Sequence, residues 1–345
     1  MSILDDELYR KDLTRAAERI DLHELKNKTI LVTGGLGLIC SAIIDLLVVA
    51  GKRESLNICI YLAARSRERF DRKYANCSGI RFVDYDARKP ISFEMKTDYI
   101  LCGAGVASPE RYTAEPVETM LSNLSGIRNL LDYAKNKGTK RVLYISSSEV
   151  YGRKQTDDSF SEDRYGSIDL DSVRSSYAVA KQASELLCRS YLAEYGVDTV
   201  IVRPGHIFGP TASETDRRIS SDFAYKAAKS IPLEMKSSGL QKRSYCYCVD
   251  AAAAILTVLL KGRAGEAYNI CTEEILTIQE MARICAQAGK VPISYAEPTK
   301  EDIQAFNPMR NSSLSCAKLS DLGFCGCFTV REGLEHTVEI LRRTG

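Results

Sequence analysis

The sequence carries almost no charge excess, no long apolar run, no metal-ligand spacing and no repeat, and each absence removes a class of function. Its 47 lysines and arginines against 45 aspartates and glutamates leave a net charge of +2. That balance gives neither a nucleic acid nor a membrane surface a reason to bind. The longest apolar run, 42–50, contains Asp45 and is too short to span a bilayer. No secretory leader precedes the first strand, so the expected compartment is a reducing cytoplasm in which the twelve cysteines remain free thiols. Many of them, such as Cys59, Cys102 and Cys188, sit inside apolar runs. Cys246-x-Cys248 and Cys325-x-Cys327 are the close pairs, and neither has a C-x-x-C partner or a nearby histidine, so no metal is expected. What remains is a chain of 345 residues, 45% hydrophobic and 27% charged. Such a chain reads as a soluble protein of one large domain or two closely packed ones.

Residues 1–27 are charged and helix-like, with Asp5-Asp6-Glu7 and Lys11-Asp12, and read as an N-terminal extension packed on the core. From Lys28, short β-branched runs at 29–33, 56–62, 80–83, 98–102, 141–145 and 199–202 alternate with longer helical stretches. Strands that are hydrophobic almost throughout need cover on both faces, hence a parallel sheet between helices. Apolar residues at three- and four-residue spacing predict amphipathic helices over 117–135 and 177–195. After Arg203 the pattern loosens, and Gly205, Gly209-Pro210 and Pro232 punctuate short helices, as a smaller capping lobe would. A helix over 250–260 has Asp250 as its expected N-cap. The expected fold is α/β: a Rossmann-type, doubly wound parallel sheet with a smaller C-terminal α/β substrate lobe. Residues 28–205, joined by 244–270, form the expected dinucleotide-binding domain, and 206–243 with 271–345 the lobe.

Thr33-Gly34-Gly35-Leu36-Gly37-Leu38-Ile39-Cys40 follows the first strand and opens a helix. Its glycines permit a tight turn and close approach of backbone amides to a pyrophosphate. Gly34, Gly37, Leu38 and Ile39 are the expected contacts. A glycine-rich match alone says little; the strand before it and the helix after it give it weight. Cys40 stands where the third glycine usually lies, and its small side chain should keep helix–sheet packing with slight displacement. The second strand ends Tyr61-Leu-Ala-Ala-Arg-Ser-Arg67, without the acid that binds the adenosine ribose of NAD. Arg65 and Arg67 either meet a 2′-phosphate, which would admit NADP, or are solvated surface arginines. Asp86, after the third strand, is placed to contact the adenine. Tyr177-Ala-Val-Ala-Lys181 sets a phenol and an ammonium one turn apart on one helix face. There Lys181 would lower the tyrosine pKa and hold the nicotinamide ribose while Tyr177 exchanges the proton of a sugar hydroxyl. That spacing is common by chance; its value lies in following Ser146-Ser147-Ser148-Glu149 at the end of a core strand.

The glycine turn, Asp86, Ser147, Tyr177-x-x-x-Lys181, Arg203-Pro204 and Arg243 before Val249-Asp250 together resemble the extended short-chain dehydrogenase/reductase family. These are the nucleotide-sugar epimerases, dehydratases and decarboxylases, and the likeness runs from Lys28 to the C-terminus. It implies tightly held NAD, a C-terminal lobe for the nucleotide sugar and a homodimer. Ala87, Ala104 and Pro204 complete the cofactor-binding positions that it implies. Three details are most similar to UDP-glucuronate decarboxylases: Ala107-Ser-Pro-Glu-Arg-Tyr112 followed by Pro116 and Asn123, Ser147-Ser148-Glu149-Val-Tyr-Gly152, and Arg174 three residues before the tyrosine. By that resemblance Ser147 hydrogen-bonds the sugar O4, Glu149 is an acid/base near the ring, and Ser148 and His206 face the substrate. Arg243 would hold the nucleotide phosphate or a substrate carboxylate. The competing readings are that Glu149 braces a loop and that Arg243 pairs with Asp250. His206 is a departure, standing where the decarboxylases keep an asparagine.

The resemblance implies chemistry that begins by oxidising the sugar at C4. A C6 carboxylate then becomes a β-keto acid and leaves as CO2, with the protein positioning groups and stabilising the enolate. Removal of the C5 proton by Glu149 would instead expel water, as in a 4,6-dehydratase, and rotation of the ring would give a 4-epimerase. Ser148-Glu149, where dTDP-glucose dehydratases carry Asp-Glu, leans toward decarboxylation. A non-catalytic NADP-binding sensor, the alternative of another class, would have lost Tyr177 or Lys181, and both are present.

Overall fold

The computed structural model describes residues 2–154, 156–299 and 309–345. The chain runs through α1 (Glu7–Ala17), β1 (Thr29–Thr33), α2 (Leu38–Arg53), β2 (Cys59–Ala64), α3 (Arg67–Tyr74), β3 (Ile80–Asp84) and β4 (Tyr99–Cys102). It continues with α4 (Pro109–Ala114), α5 (Pro116–Lys137), β5 (Arg141–Ile145), α6 (Ser176–Tyr195), β6 (Thr199–Pro204), β7 (His206–Phe208) and α7 (Ile219–Ala228). Then come β8 (Leu233–Met235), β9 (Lys242–Tyr247), α8 (Cys248–Lys261), β10 (Ala267–Ile270), β11 (Ile275–Thr277) and α9 (Ile278–Gly289). Among the described residues β12 (Ile293–Tyr295), α10 (Ala317–Ser320) and α11 (Val330–Thr344) complete it.

Seven strands form one sheet in the order β10-β6-β5-β4-β1-β2-β3, with every pairing parallel. The strand order reverses between β1 and β4, and in such sheets ligands bind in the crevice outside the carboxyl ends at that point. Alternation along β1 sends Ile30 and Val32 into one apolar core and Leu31 into the other. Helices α1, α2 and α8 cover the first face, and α5 and α6 pack side by side over the second. Two further small sheets, β11-β9-β7 and β12-β8, lie with α7, α9 and α11 beyond the carboxyl edge of β6.

The structure moves two sequence-predicted features. The second strand begins at Cys59 rather than residue 56, because Ser55 and Asn57 take left-handed conformations (φ 52° and 49°) and hold the chain in a turn. Helix α8 starts at Cys248, straight out of β9, so Asp250 lies in its first turn and is not the N-cap. Its buried carboxylate accepts instead from the backbone N–H of Cys327 (2.8 Å) and Phe328 (3.1 Å), capping a distant turn. Burial pushes its pKa up to about 6.

The N-terminal helix is docked by two buried carboxylates. Tyr9 and Tyr74 donate to Asp45 at 3.0 and 2.7 Å and Lys73 pairs with it at 2.9 Å. Asp12 of α1 accepts from Tyr247 (2.9 Å) and meets His336 Nδ1 at 3.0 Å. Among the described residues no helix is long and apolar enough to cross a membrane.

Candidate active site

The glycine turn sits at the strand-order reversal. Gly34 has φ +70°, and a Cβ there would lie 2.7 Å from the Gly103 carbonyl oxygen, so only glycine fits. Gly37 donates to the Gly34 carbonyl at 2.9 Å and caps α2. The N–H groups of Leu38 and Ile39 therefore open that helix, in the first turn, where amides have no intrahelical acceptor. The Leu38 carbonyl is held by Thr211 Oγ1 at 2.8 Å. Cys40 Sγ lies 2.2 Å from where a Cβ on Gly103 would stand. The close approach usually allowed by a glycine on the helix is thus allowed by a glycine at the end of β4. The Ala104 N–H donates to Thr33 Oγ1 at 3.2 Å, and Ala87 meets Gly126 closely enough that a Cβ on that glycine would be 3.0 Å away.

Beyond β2 and β3 a cleft is lined by Arg65, Tyr85, Asp86 and Lys89. Arg88 grips Asp86 through Nε (2.9 Å) and Nη2 (2.6 Å), and with Arg65 nearby this holds the carboxyl well below the usual carboxylate range. Arg65 is exposed and makes no ion pair among the described residues. Arg67 is different: it pairs with Asp71 at 2.8 Å and lies over the rings of Phe70 and Phe82. That pair is exposed; Arg65, without an ion pair among the described residues, is the freer of the two arginines. Arg69, which the sequence reading passed over, donates to the Leu36 carbonyl of the glycine turn at 3.2 Å.

Tyr177 and Lys181 start α6, both buried. Burial pushes the Tyr177 phenol up to about 12, opposed by the Ser147 hydroxyl beside it, with Glu149 adding to the rise and Arg218 opposing. Lys181 donates to the Ile145 carbonyl at 2.8 Å, with Nζ 5.9 Å from the Tyr177 ring centre. Burial brings its ammonium down to about 8, against the pull of Glu185. Lys181 is thus held on the end of β5. Ser147 Oγ also accepts the Glu149 N–H (3.2 Å), capping the 3-10 turn Ser148–Tyr151 that carries Ser148 and Glu149. Arg174 approaches Glu149 at 3.7 Å and donates to the hydroxyl of Tyr112 at 3.3 Å. The Tyr112 ring stacks on Tyr177, centroids 5.0 Å apart and 10° from parallel.

Opposite these, His206 Nε2 meets Ser312 Oγ at 3.0 Å just past Pro204, the buried last residue of β6. Burial, then the charges of Arg243 and Arg218, hold His206 well below the ordinary imidazole range, so it is neutral at pH 7. Arg243 does not pair with Asp250, whose carboxylate is engaged by the 327–328 backbone; its Nε is buried without a hydrogen-bond partner among the described residues. A buried donor left without a partner among the described residues calls for an explanation. Tyr112 ends the 107–112 run that the sequence singles out, without a stated role; Arg218 and Ser312 carry no local signal, and the fold alone brings them here.

A family described as NAD dependent epimerase/dehydratase matches residues 30–271. The chain belongs to it. UDP-glucuronic acid decarboxylase 6 of Arabidopsis thaliana is 31% identical over 92% of this chain and 89% of its own length. UDP-glucuronic acid decarboxylase 1 of Xenopus tropicalis is 28% identical over 93% of this chain and 74% of its own. The dTDP-glucose 4,6-dehydratase of Streptomyces venezuelae, solved with NAD bound, matches with a TM-score of 0.77 at 25% identity, covering 92% of this chain and 97% of that one. The chain is thus an NAD-dependent enzyme. The tight turn that the positive φ of Gly34 allows and the first-turn amides of α2, which have no intrahelical acceptor, fit that cofactor.

Proposed function

We propose that this enzyme decarboxylates a nucleotide-linked sugar acid, UDP-glucuronate being the substrate to test first. The observation that carries this reading is Glu149, held by Arg174 at 3.7 Å beside the buried Tyr177. Simple epimerisation has no use for an acid there, and the named decarboxylases are relatives along nearly the whole chain. Gly34, Gly37, Leu38 and Ile39 would hold the pyrophosphate of NAD, Arg65, Asp86 and Ala87 its adenosine end, and Lys181, Ala104 and Pro204 its nicotinamide end. NAD when bound supplies reversible hydride chemistry at the sugar C4. Tyr177 takes the proton of the C4 hydroxyl, which Ser147 orients. Glu149, with Ser148 beside it, exchanges a proton at the ring carbon that loses the carboxylate. Arg243, whose Nε has no partner among the described residues, meets a phosphate or carboxylate oxygen in a partly desolvated cleft, where charge-assisted hydrogen bonds are strongest. Neutral His206 presents its ring to the sugar side.

The division into an N-terminal extension, a dinucleotide-binding domain of 28–205 with 244–270 and a sugar lobe belongs to this proposal. So does a homodimer, supported by apolar side chains left exposed on the outer faces of α5 and α6: Val117, Leu121 and Leu186.

The test incubates the purified enzyme and NAD with UDP-glucuronate, UDP-glucose and dTDP-glucose. CO2 and a UDP-pentose are expected from the first. A 4-keto-6-deoxy product from a neutral hexose nucleotide would make it a dehydratase, and a C4 epimer alone would make Glu149→Gln nearly silent. Tyr177→Phe should lower kcat at least ~10²-fold with substrate binding kept. Arg243→Ala should raise KM steeply, whereas Glu149→Gln should act on kcat.

A further inference from the structure

Arg203 is wholly buried in β6, a charged side chain in a strand otherwise of threonine, valine, isoleucine and proline. All five of its N–H donors are taken. Nε and Nη2 grip the two oxygens of Glu185 at 2.9 and 2.7 Å, and Nη1 donates to Tyr151 Oη at 3.0 Å and to the Glu162 carbonyl at 2.9 Å. The remaining donor of Nη2 goes to the Tyr165 hydroxyl. Two of these partners, Glu185 and Tyr151, lead to different parts of the site. Glu185 lies on α6, one turn beyond Lys181 and two beyond Tyr177. The same carboxylate accepts from Ser146 Oγ at 2.7 Å, and Ser146 directly precedes Ser147 at the end of β5. Tyr151 closes the 3-10 turn that carries Glu149, and its hydroxyl donates to Asn269 of β10 at 2.6 Å. Asn269 is in turn the register partner of Arg203 in the sheet.

The geometry points to Arg203 and Glu185 as positioning residues: one buried ion pair that fixes the strand end bearing Ser147, the turn bearing Glu149 and the helix bearing Tyr177 and Lys181 against one another. This rests on the proposed roles of those four residues. A buried pair of this kind is a poor source of stability, because desolvating two charges offsets most of their attraction. Its fully satisfied fork is, however, rigid in a way that a hydrophobic contact is not. The reaction needs that rigidity, since an acid, a phenol and a hydroxyl on three separate elements must keep their relative places, and small misplacements of reacting groups are expensive in rate.

Removing Arg203 itself would strand Glu185 in the interior, so the test cuts single spokes. Tyr151→Phe keeps the ring and deletes the hydroxyl between Arg203 and the Glu149 turn. We expect a folded protein with unchanged NAD affinity and unchanged KM for UDP-glucuronate, and kcat lower by about 10- to 100-fold. In a Glu149→Gln background the same change should cost less than about twofold, because the group it positions is already disabled. Ser146→Ala cuts the other spoke and should likewise lower kcat at constant KM, which keeps the test open if Tyr151→Phe does not fold. Wild-type kcat in the spoke variants beside an impaired Glu149→Gln overturns the inference and leaves the reading of the site standing. An equal loss in both backgrounds also overturns it, as a general structural effect. Wild-type activity in Glu149→Gln removes the proposed role of Glu149 and takes this inference with it.

Discussion

Cys40 shows how a departure from a motif is absorbed by one neighbour. The sulfur occupies the volume that a side chain at position 103 would need, 2.2 Å from the place of its Cβ. Gly103→Ala should therefore destabilise the protein by about 1–3 kcal/mol, the usual cost of overpacking a core. In a Cys40→Gly background, which restores the third glycine, the same alanine should cost less, its Cβ then meeting the Thr33 carbonyl oxygen at 3.0 Å and Ile145 at 3.3 Å. A double-mutant cycle by urea unfolding should give a coupling of at least about 0.5 kcal/mol; strict additivity would show that the two positions do not share the space. Arg65 invites a second residue-scale test. No acid follows β2, and Arg65 is the arginine there without an ion pair among the described residues, whereas Arg67 is tied to Asp71. Arg65→Ala should weaken NADP binding while leaving NAD binding nearly unchanged, measured as two dissociation constants. An unaltered NADP constant would return Arg65 to the solvated surface.

Among the elements, α1 has an attachment expected to depend on pH. His336 of α11 is held above the ordinary imidazole range by its bond to Asp12, with burial opposing and Glu332 and Glu339 adding to the rise. A folded-state pKa above the unfolded one means that the native state binds the proton more tightly. Its contribution is fully present below the ordinary imidazole range and is lost as pH rises through the elevated value. The urea midpoint should fall over that interval, and His336→Phe should flatten the fall; an unchanged slope would place the pH dependence elsewhere. Elements of this kind differ in how legible they are. The strands β1, β4, β5 and β6 were readable because a buried parallel strand must be apolar throughout, and α5 and α6 because one face of each meets the sheet. The start of β2 was not, since it depends on two left-handed residues, Ser55 and Asn57, whose side chains also suit extended chain. The role of Asp250 was hidden because its partners lie at 327 and 328. In the site, the Gly34 turn and Tyr177 with Lys181 stand at fixed local spacing and could be found. Tyr112, Arg218 and Ser312 reach it from three separate segments. Glu185 and Arg203 did leave a trace, an acid one turn after Lys181 and a charge inside an apolar strand.

At the scale of the whole molecule, the sheet is covered unequally. Its first face lies under α2 and α8, with α1 packed on them in turn, whereas α5 and α6 are the outermost layer on the second among the described residues. Val117 and Leu121 are one turn apart on α5, 60% and 59% exposed, and Leu186 on the adjacent α6 is 63% exposed. Two packed helices that leave these three apolar side chains exposed suit a two-fold contact in which each pair lies on its copy, since the same patch then serves both partners. A stable interface of this kind buries roughly 800 Å² per partner. Leu121→Glu with Leu186→Glu would place like charges across the two-fold and desolvate them on association. Both side chains already face solvent in the single chain, so its fold should survive. The wild type should sediment as a dimer with a melting temperature that rises with protein concentration, and the double variant as a monomer whose melting temperature does not. A wild type that is monomeric at about 100 μM, well above the roughly micromolar-to-picomolar dissociation constants such interfaces reach, would remove the dimer. A variant that stays dimeric would move the interface to another face. Because α6 carries Tyr177 and Lys181 on its inner side, the monomer also reports whether the site needs the second copy. With Arg203 and Glu185 anchoring α6 from within, kcat of the monomer should remain close to that of the dimer.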